Sequence, residues 1–215
     1  MKLYTSVGPN PRIVGMFMAE KQMVIPRHWV DLVAGENRRQ PFLSISAAGQ
    51  LPVLELASGR CIAETIAICE YLEDIQADPA LIGTMAEDRA LVRMWTRHVE
   101  LLYAQPLGAY FRFGPALPLF QSRMTCIPQA ADGMAQAARE GTNWLEAQMA
   151  DKTFVTGDRF SMADIVLFCF ADFAAQRAGV PLTSDHPKLG RWFARVAERT
   201  SAQSTAAEAY GARPA

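Results

Sequence analysis

The sequence is poor in the residues that metal centres and redox pairs require: 215 residues carry four cysteines and three histidines. Cys61, Cys69, Cys126 and Cys169 form no Cys-x-x-Cys pair and no zinc spacing, and His28, His98 and His186 stand too far apart for a His-rich metal centre. The cysteines read as reduced, mostly buried thiols of a reducing compartment. A net basic field is also missing. With a formal charge of −1, nothing draws nucleic acid or an anionic membrane to the chain as a whole, although Arg38-Arg39 is a local exception. Lys2 is followed at once by the strand-like Leu3-Tyr4-Thr5-Ser6, which is not a signal peptide. The most apolar stretch, Ile165 to Ala171, is too short to span a bilayer. There is no internal repeat and no low-complexity linker. The expectation is a soluble, cytoplasmic protein with no metal and neither nucleic acid nor membrane as a partner.

What is present is core-forming material: 50% of residues are hydrophobic and 20% charged, enough for one large domain or two small ones. The first third alternates two periods. Leu3 to Ser6 reads as a strand, Ile13, Val14, Phe17 and Met18 as a helical stripe, and Trp29 to Val33 as a second strand. Val53 to Leu56, the turn Ala57 to Arg60, and Cys61-Ile62 read as a hairpin. Ile66, Cys69, Leu72 and Ile75 give another helical stripe. The order is βαβ, a connection, then ββα. Beyond Asp78-Pro79 the strand signals stop. Leu91 to Leu102 marks a long helix, interrupted by a broken, aromatic segment with Pro106, Pro115 and Pro118, prolines that favour a loop-rich wall over a regular helix. Helical patterns resume through Met134 and Trp144-Leu145, at Ile165 to Phe173, and at Leu189 to Val196. A mixed block followed by a helical block implies two domains, residues 1–78 and 88–215. The last fifteen residues are Ala/Ser/Thr-rich and are expected to fray.

Two motifs invite a ligand. Gln50-Leu51-Pro52-Val53 puts a proline at the mouth of a strand, either as an ordinary trans residue or as a cis bond in a tight turn. A cis bond would leave the Leu51 N–H and C=O free to pair with an extended peptide. Ala63-Glu64-Thr65-Ile66 opens a helix, where unpaired N–H groups attract a carboxylate. Thr65 adds a hydroxyl and Glu64 can pair with an ammonium, which together suit an α-amino acid end group. The plainer reading is that Thr65 caps the helix and Glu64 complements its dipole.

In order, Gly8-Pro9-Asn10-Pro11 before a helix, GQLPVLEL, a hairpin, IAETIAICEYLED, FVTGDRFSMADIVLF and HPKLGRWFARV resemble the cytosolic glutathione transferases along essentially the whole chain. The resemblance implies a thioredoxin-like α/β domain followed by an all-α domain, a homodimer, and glutathione as co-substrate in detoxification chemistry. It implies that Leu51, held by Pro52, pairs with the cysteinyl unit of glutathione. Glu64 and Thr65 would bind the γ-glutamyl end, with Gln50 and Asn37 (beside Arg38 and Arg39) near the glycyl carboxylate. It also implies that Met94, Tyr103, Tyr110, Phe111 and Phe113 line a pocket for an apolar electrophile, for which helix packing is the plainer account.

The chemistry needs a thiolate. Lowering a thiol pKa from about 8.5 by roughly two units takes about 2.7 kcal/mol, and one hydrogen bond to a charged group supplies about 1.5–3 kcal/mol. The chain departs from the tyrosine, serine or cysteine of many members. Gly8-Pro9-Asn10 is more similar to the Thr-Pro-Asn loop of bacterial nu-type members, with glycine replacing threonine. Asn10 ranks first as donor, Ser6 second and Thr5 third. Asn10 also reads as a helix N-cap ahead of Pro11 at the first helical position, a role that leaves its NH₂ free. Ser161-x-x-Asp164 reads as a structural capping box, not a catalytic pair. The reaction expected is conjugation of glutathione to an apolar electrophile or thiol–disulfide exchange. The alternative is a non-catalytic glutathione- or ligand-binding or assembly module on the same fold.

Overall fold

In a computed structural model that describes residues 1–182 and 185–211, the chain forms two compact units, 1–81 with 199–215 and 82–198. The first unit is built on a four-stranded sheet of β1 (Lys2–Thr5), β2 (Arg27–Trp29), β3 (Val53–Glu55) and β4 (Cys61–Ala63). The spatial order is β2-β1-β3-β4, with β1 parallel to β2 and antiparallel to β3, and β3 antiparallel to β4. Helix α1 (Pro9–Glu20) joins the parallel pair, the short α2 (Phe42–Ile45) lies in the connection, and α3 (Thr65–Ile75) follows the hairpin. This is the expected βαβ-ββα arrangement.

Register decides which loops share an end of the sheet. Tyr4 pairs with Val53 and Val53 with Ala63, while Thr5 lies beside Trp29. The segment after β1, the segment after β2, the approach to β3 and the exit from β4 therefore all leave the same edge. The candidate residues 6–10, 37, 50–52 and 64–65 sit on those four segments.

Three local expectations are corrected. The second strand covers Arg27–Trp29 rather than Trp29 to Val33. The Asp31 carboxylate accepts the Ala34 N–H at 2.8 Å and the Glu36 carboxylate accepts the Asp31 N–H at 2.7 Å, so side chains turn the backbone out of the ladder. Arg27 and His28 are exposed, and an exposed edge strand leaves no apolar alternation to read. In α3 the buried residues are Ile68, Cys69, Leu72 and Glu73, and Ile75 faces out. Glu73 is inside because it meets Lys21 at 2.7 Å, and Lys21 also donates to the carbonyls of Gln76 and Pro79 at 2.6 and 2.8 Å. A buried charge pair survives only with such added hydrogen bonds.

The third correction concerns the C-terminus. As far as Gly211 the chain does not fray but forms α10 (Thr200–Ser204) and α11 (Ala206–Ala209) against α1, and residues 212–215 of that expectation lie outside the described residues. The Arg199 guanidinium meets the Glu20 carboxylate in two bonds of 2.7 and 2.6 Å, and the Ser201 hydroxyl joins the same carboxylate. The compact units thus divide the chain differently from 1–78 and 88–215 at this end, because polar anchors rather than apolar periodicity tie the segment down.

The second unit is helical among its described residues: α4 (Ala86–Val99), α5 (Gln105–Phe113), α6 (Leu117–Phe120), α7 (Ala131–Met149), α8 (Met162–Phe173) and α9 (Pro187–Ala197). A π-helical turn, Glu100–Ala104, carries α4 into α5. Pro106 was expected to interrupt the helix, but it lies at the start of α5 just after the widened turn, where a missing N–H is tolerated. Tyr110, Phe111 and Phe113 are therefore helical rather than on a loop. Gly141 is required where α7 meets this turn, since a Cβ there would stand 1.9 Å from the Leu102 carbonyl oxygen.

Helix α8 is buried on nearly every side and opens with the expected capping box. Asp164 accepts the Ser161 N–H and hydroxyl at 3.0 and 2.9 Å, the Val155 N–H at 2.8 Å and the Trp192 indole N–H at 2.9 Å. Burial pushes its carboxyl up to about 6 against those four donors. No helix among the described residues is long and apolar enough to cross a membrane.

Candidate active site

Helix α1 begins two residues earlier than its motif suggests. Gly8, at φ +112°, is the N-cap residue, and Pro9, Asn10 and Pro11 occupy the first turn. Asn10 is therefore not the cap. Its side chain is exposed and has no hydrogen-bond partner among the described residues, so both amide donors are available at the positive end of a helix. The other thiol candidates differ. The Ser6 hydroxyl is buried and donates its proton to the Val30 carbonyl at 2.7 Å, which leaves none to stabilise a thiolate. Thr5 is buried within β1. Tyr4 is also buried, with its hydroxyl donating to Glu55 at 2.8 Å. Among the described residues, Ser6 and Tyr4 have committed hydroxyls and Thr5 is buried, whereas Asn10 combines uncommitted donors with exposure.

The Leu51–Pro52 bond is cis. Among the described residues, neither the N–H nor the C=O of Leu51 has a hydrogen-bond partner. That is what an extended peptide needs in order to add to a sheet edge. Gln50 beside it is exposed. The loop is held from behind. Gly49 adopts φ +60°, and a Cβ there would stand 2.7 Å from the Asn37 carbonyl oxygen. The Asn37 amide donates to the Gly49 carbonyl at 2.6 Å, and Arg38 reaches the Ala48 carbonyl at 3.2 Å. Asn37 is buried and Arg39 bonds Ala34 at 3.0 Å. Asn37 and Arg38 thus brace the Gln50-Leu51 loop, while Arg39 bonds back within its own segment.

At the start of α3 the plainer reading fails. Glu64, not Thr65, is the N-cap residue, and no side chain caps the helix. The Thr65 hydroxyl and the Glu64 carboxylate have no partner among the described residues. Glu64 also holds φ +70°, a left-handed conformation that costs a non-glycine residue of order 1–3 kcal/mol. Strain of this kind without a packing role is characteristic of ligand sites. Together the two segments offer a hydroxyl, a carboxylate, helix N-terminal N–H groups and one unpaired peptide unit, groups able to pair with a carboxylate, an ammonium and an extended peptide.

In the helical unit the five aromatic-segment residues differ in availability. Tyr103 is buried, its hydroxyl lacks a partner among the described residues, and burial pushes its pKa well above the ordinary value. Phe111 packs edge-on against Phe173 and Phe120 at ring distances of 4.8 and 6.3 Å. Tyr110 and Phe113 are half-buried, and Met94 is 42% exposed. Sequence reasoning missed Arg12 and Tyr210. Arg12 is buried in α1 and donates to the Tyr210 hydroxyl and the Ala202 carbonyl, both at 3.1 Å. A charge inside an otherwise apolar helix was the available signal.

The α/β unit and the helical unit define the glutathione transferase fold, and sequence comparison agrees. Models of the glutathione S-transferase N-terminal and C-terminal domains match residues 7–75 and 128–195. Glutathione S-transferase 2 of Saccharomyces cerevisiae is 31% identical over 205 residues, covering 92% of this chain and 85% of that protein. The crystal structure of Gtt2 from the same yeast superposes with a TM-score of 0.89 at 28% identity, covering 95% of this chain and all of that one. Elongation factor 1-gamma of Prunus avium is 28% identical over 73% of this chain, which spans only 36% of that protein. The chain belongs to the glutathione S-transferase family.

Proposed function

We propose that the protein is a glutathione transferase in which Asn10 activates the thiol, by its loop a relative of the bacterial nu-type members. Glutathione binds along the shared edge of the sheet. Its cysteinyl peptide unit pairs with Leu51 beside Pro52, and its γ-glutamyl end meets Glu64, Thr65 and the N-terminus of α3. Its glycyl end lies toward Gln50 and the segment braced by Asn37. The sulfur then faces the first turn of α1, where the Asn10 NH₂ donates to the thiolate. One such bond, worth about 1.5–3 kcal/mol, lowers the thiol pKa by about one to two units. The thiolate forms a carbon–sulfur bond to an apolar electrophile as its leaving group departs, or attacks a disulfide sulfur and releases the other sulfur as a thiolate; Met94, Tyr103, Tyr110, Phe111 and Phe113 are the residues of the helical unit proposed for the electrophile's pocket. The working form is a cytoplasmic homodimer serving detoxification, with no metal.

The observation that carries this reading is the pairing of a strained Glu64 with an uncommitted Thr65 hydroxyl on the sheet edge that also bears Asn10. Turnover of Asn10→Ala against a model electrophile and a model disulfide tests it. A loss of about 10–100-fold in kcat with glutathione affinity retained is expected. Unchanged kcat would remove Asn10 from the chemistry. The elongation factor likeness favours a second reading, a glutathione-binding assembly module. Under that reading the wild-type chain binds glutathione yet turns over neither substrate.

A further inference from the structure

The first turn of α1, like that of any α-helix, makes no intrahelical bond through its leading N–H positions. Pro9 and Pro11 have no N–H to donate, and Gly8 sits at φ +112° with nothing near the position a Cβ would take. The bond that helix geometry supplies here is Arg12 N–H to the Gly8 carbonyl, at 3.3 Å. The other restraints come from the far end of the chain. The Gly8 N–H donates to the Ala209 carbonyl at 3.0 Å. Arg12, two residues beyond Asn10, reaches Tyr210 and Ala202, each at 3.1 Å, and its guanidinium lies 5.7 Å from the Tyr210 ring centre. Further along α1, Gly15 lies beside the Thr205 methyl, and Glu20 takes Arg199 in two bonds. One segment thus touches α1 from its N-cap to its last residue.

We propose that residues 199–210 are a positioning element of the thiol site, with Arg12 and Tyr210 as its positioning residues. They set the orientation of the turn that carries Asn10. The inference rests on the reading of Asn10 as thiolate donor. Its logic is geometric: a hydrogen bond to sulfur requires the donor at one place, and the C-terminal segment holds the turn on both sides of Asn10, at Gly8 and at Arg12. A segment that only stabilised the fold would affect denaturation and leave the sulfur alone.

The test compares the full chain with a chain ending at Thr205 and with Arg12→Met, Arg12→Lys and Tyr210→Phe. Three properties are read: the bound glutathione thiol pKa by ultraviolet difference titration, glutathione Kd by calorimetry, and the urea midpoint. Removal of residues 206–215 is expected to raise the bound-thiol pKa by about one unit, about three- to eightfold less thiolate at neutral pH. Kd should stay within about threefold, because Leu51, Glu64 and Thr65 are untouched. Arg12→Met and Tyr210→Phe should shift the pKa the same way by less, with Arg12→Lys between Arg12→Met and wild type. These full-length variants carry the test if the shortened chain does not fold. A lowered urea midpoint with an unmoved thiol pKa would overturn the proposal and leave the functional reading standing. A wild-type chain that binds no glutathione, or binds it with an ordinary thiol pKa, would overturn both.

Discussion

The edge of the sheet and the knot beneath α8 use similar residues to opposite ends. At Ser161 and Asp164, a hydroxyl and a carboxylate at a helix start are buried, and the four bonds to Asp164 meet all its close donors. At Glu64 and Thr65, a carboxylate and a hydroxyl at a helix start have no partner among the described residues, and the backbone is strained. The helix of the knot is capped by its own chain, and the helix of the edge is not. Residue type does not separate a structural cap from a binding site. What differs between the two is burial and partners: the knot is buried and fully bonded, and the edge keeps exposed and half-buried groups without protein partners among the described residues.

Breaking the knot should give the largest effect. Asp164→Ala removes one charge from four donors that stay buried and is expected to cost about 3–5 kcal/mol of unfolding free energy, read by urea denaturation. Glutathione affinity of the folded fraction should not change. At the edge the pattern reverses. Thr65→Val is expected to weaken glutathione binding by about 10–100-fold, as for a hydrogen bond to a charged group. Its urea midpoint should stay near wild type, within the roughly 0.5 kcal/mol usual for surface changes. If Thr65→Val were instead the destabilising variant, its hydroxyl would be a cap and the contrast would fail.

The smallest effect is a pH dependence confined to the knot. Asp164 has a folded pKa of about 6, above its ordinary 3.8. As pH falls from 7 through 6 the folded chain takes up a proton that the unfolded chain does not, so this group's contribution shifts toward greater stability. That gain is roughly 1 kcal/mol between pH 7 and pH 5, and it levels off once the unfolded group also protonates. Asp164→Asn should abolish that component of the denaturation profile. A component of the same size persisting in Asp164→Asn would assign it to another group.

Much of this was legible in the sequence wherever apolar periodicity and turn chemistry agreed. The order βαβ-ββα, the buried α8, the Ser161–Asp164 box and the final core helix around Trp192 followed from spacing alone. The misses share a cause: they are held by polar contacts distant in sequence. β2 carries exposed Arg27 and His28. Glu73 replaced Ile75 on the buried face because Lys21 was waiting for it, and the C-terminal helices dock through Arg199, Glu20 and Arg12. In the site, the positions of Glu64, Thr65 and Leu51 were readable from motif order. That Ser6 is committed to Val30, and that Asn37 serves the Gly49 loop, required partners no spacing rule reveals.

The most direct test of the account is the pKa of glutathione's thiol when bound to the wild-type protein, read by ultraviolet difference spectra across pH. A bound thiol titrating at least about one unit below the free value near 8.5 is the expected result. Glutathione bound with its thiol unshifted, or not bound at all, would contradict the claim that this sheet edge is a thiol-activating site.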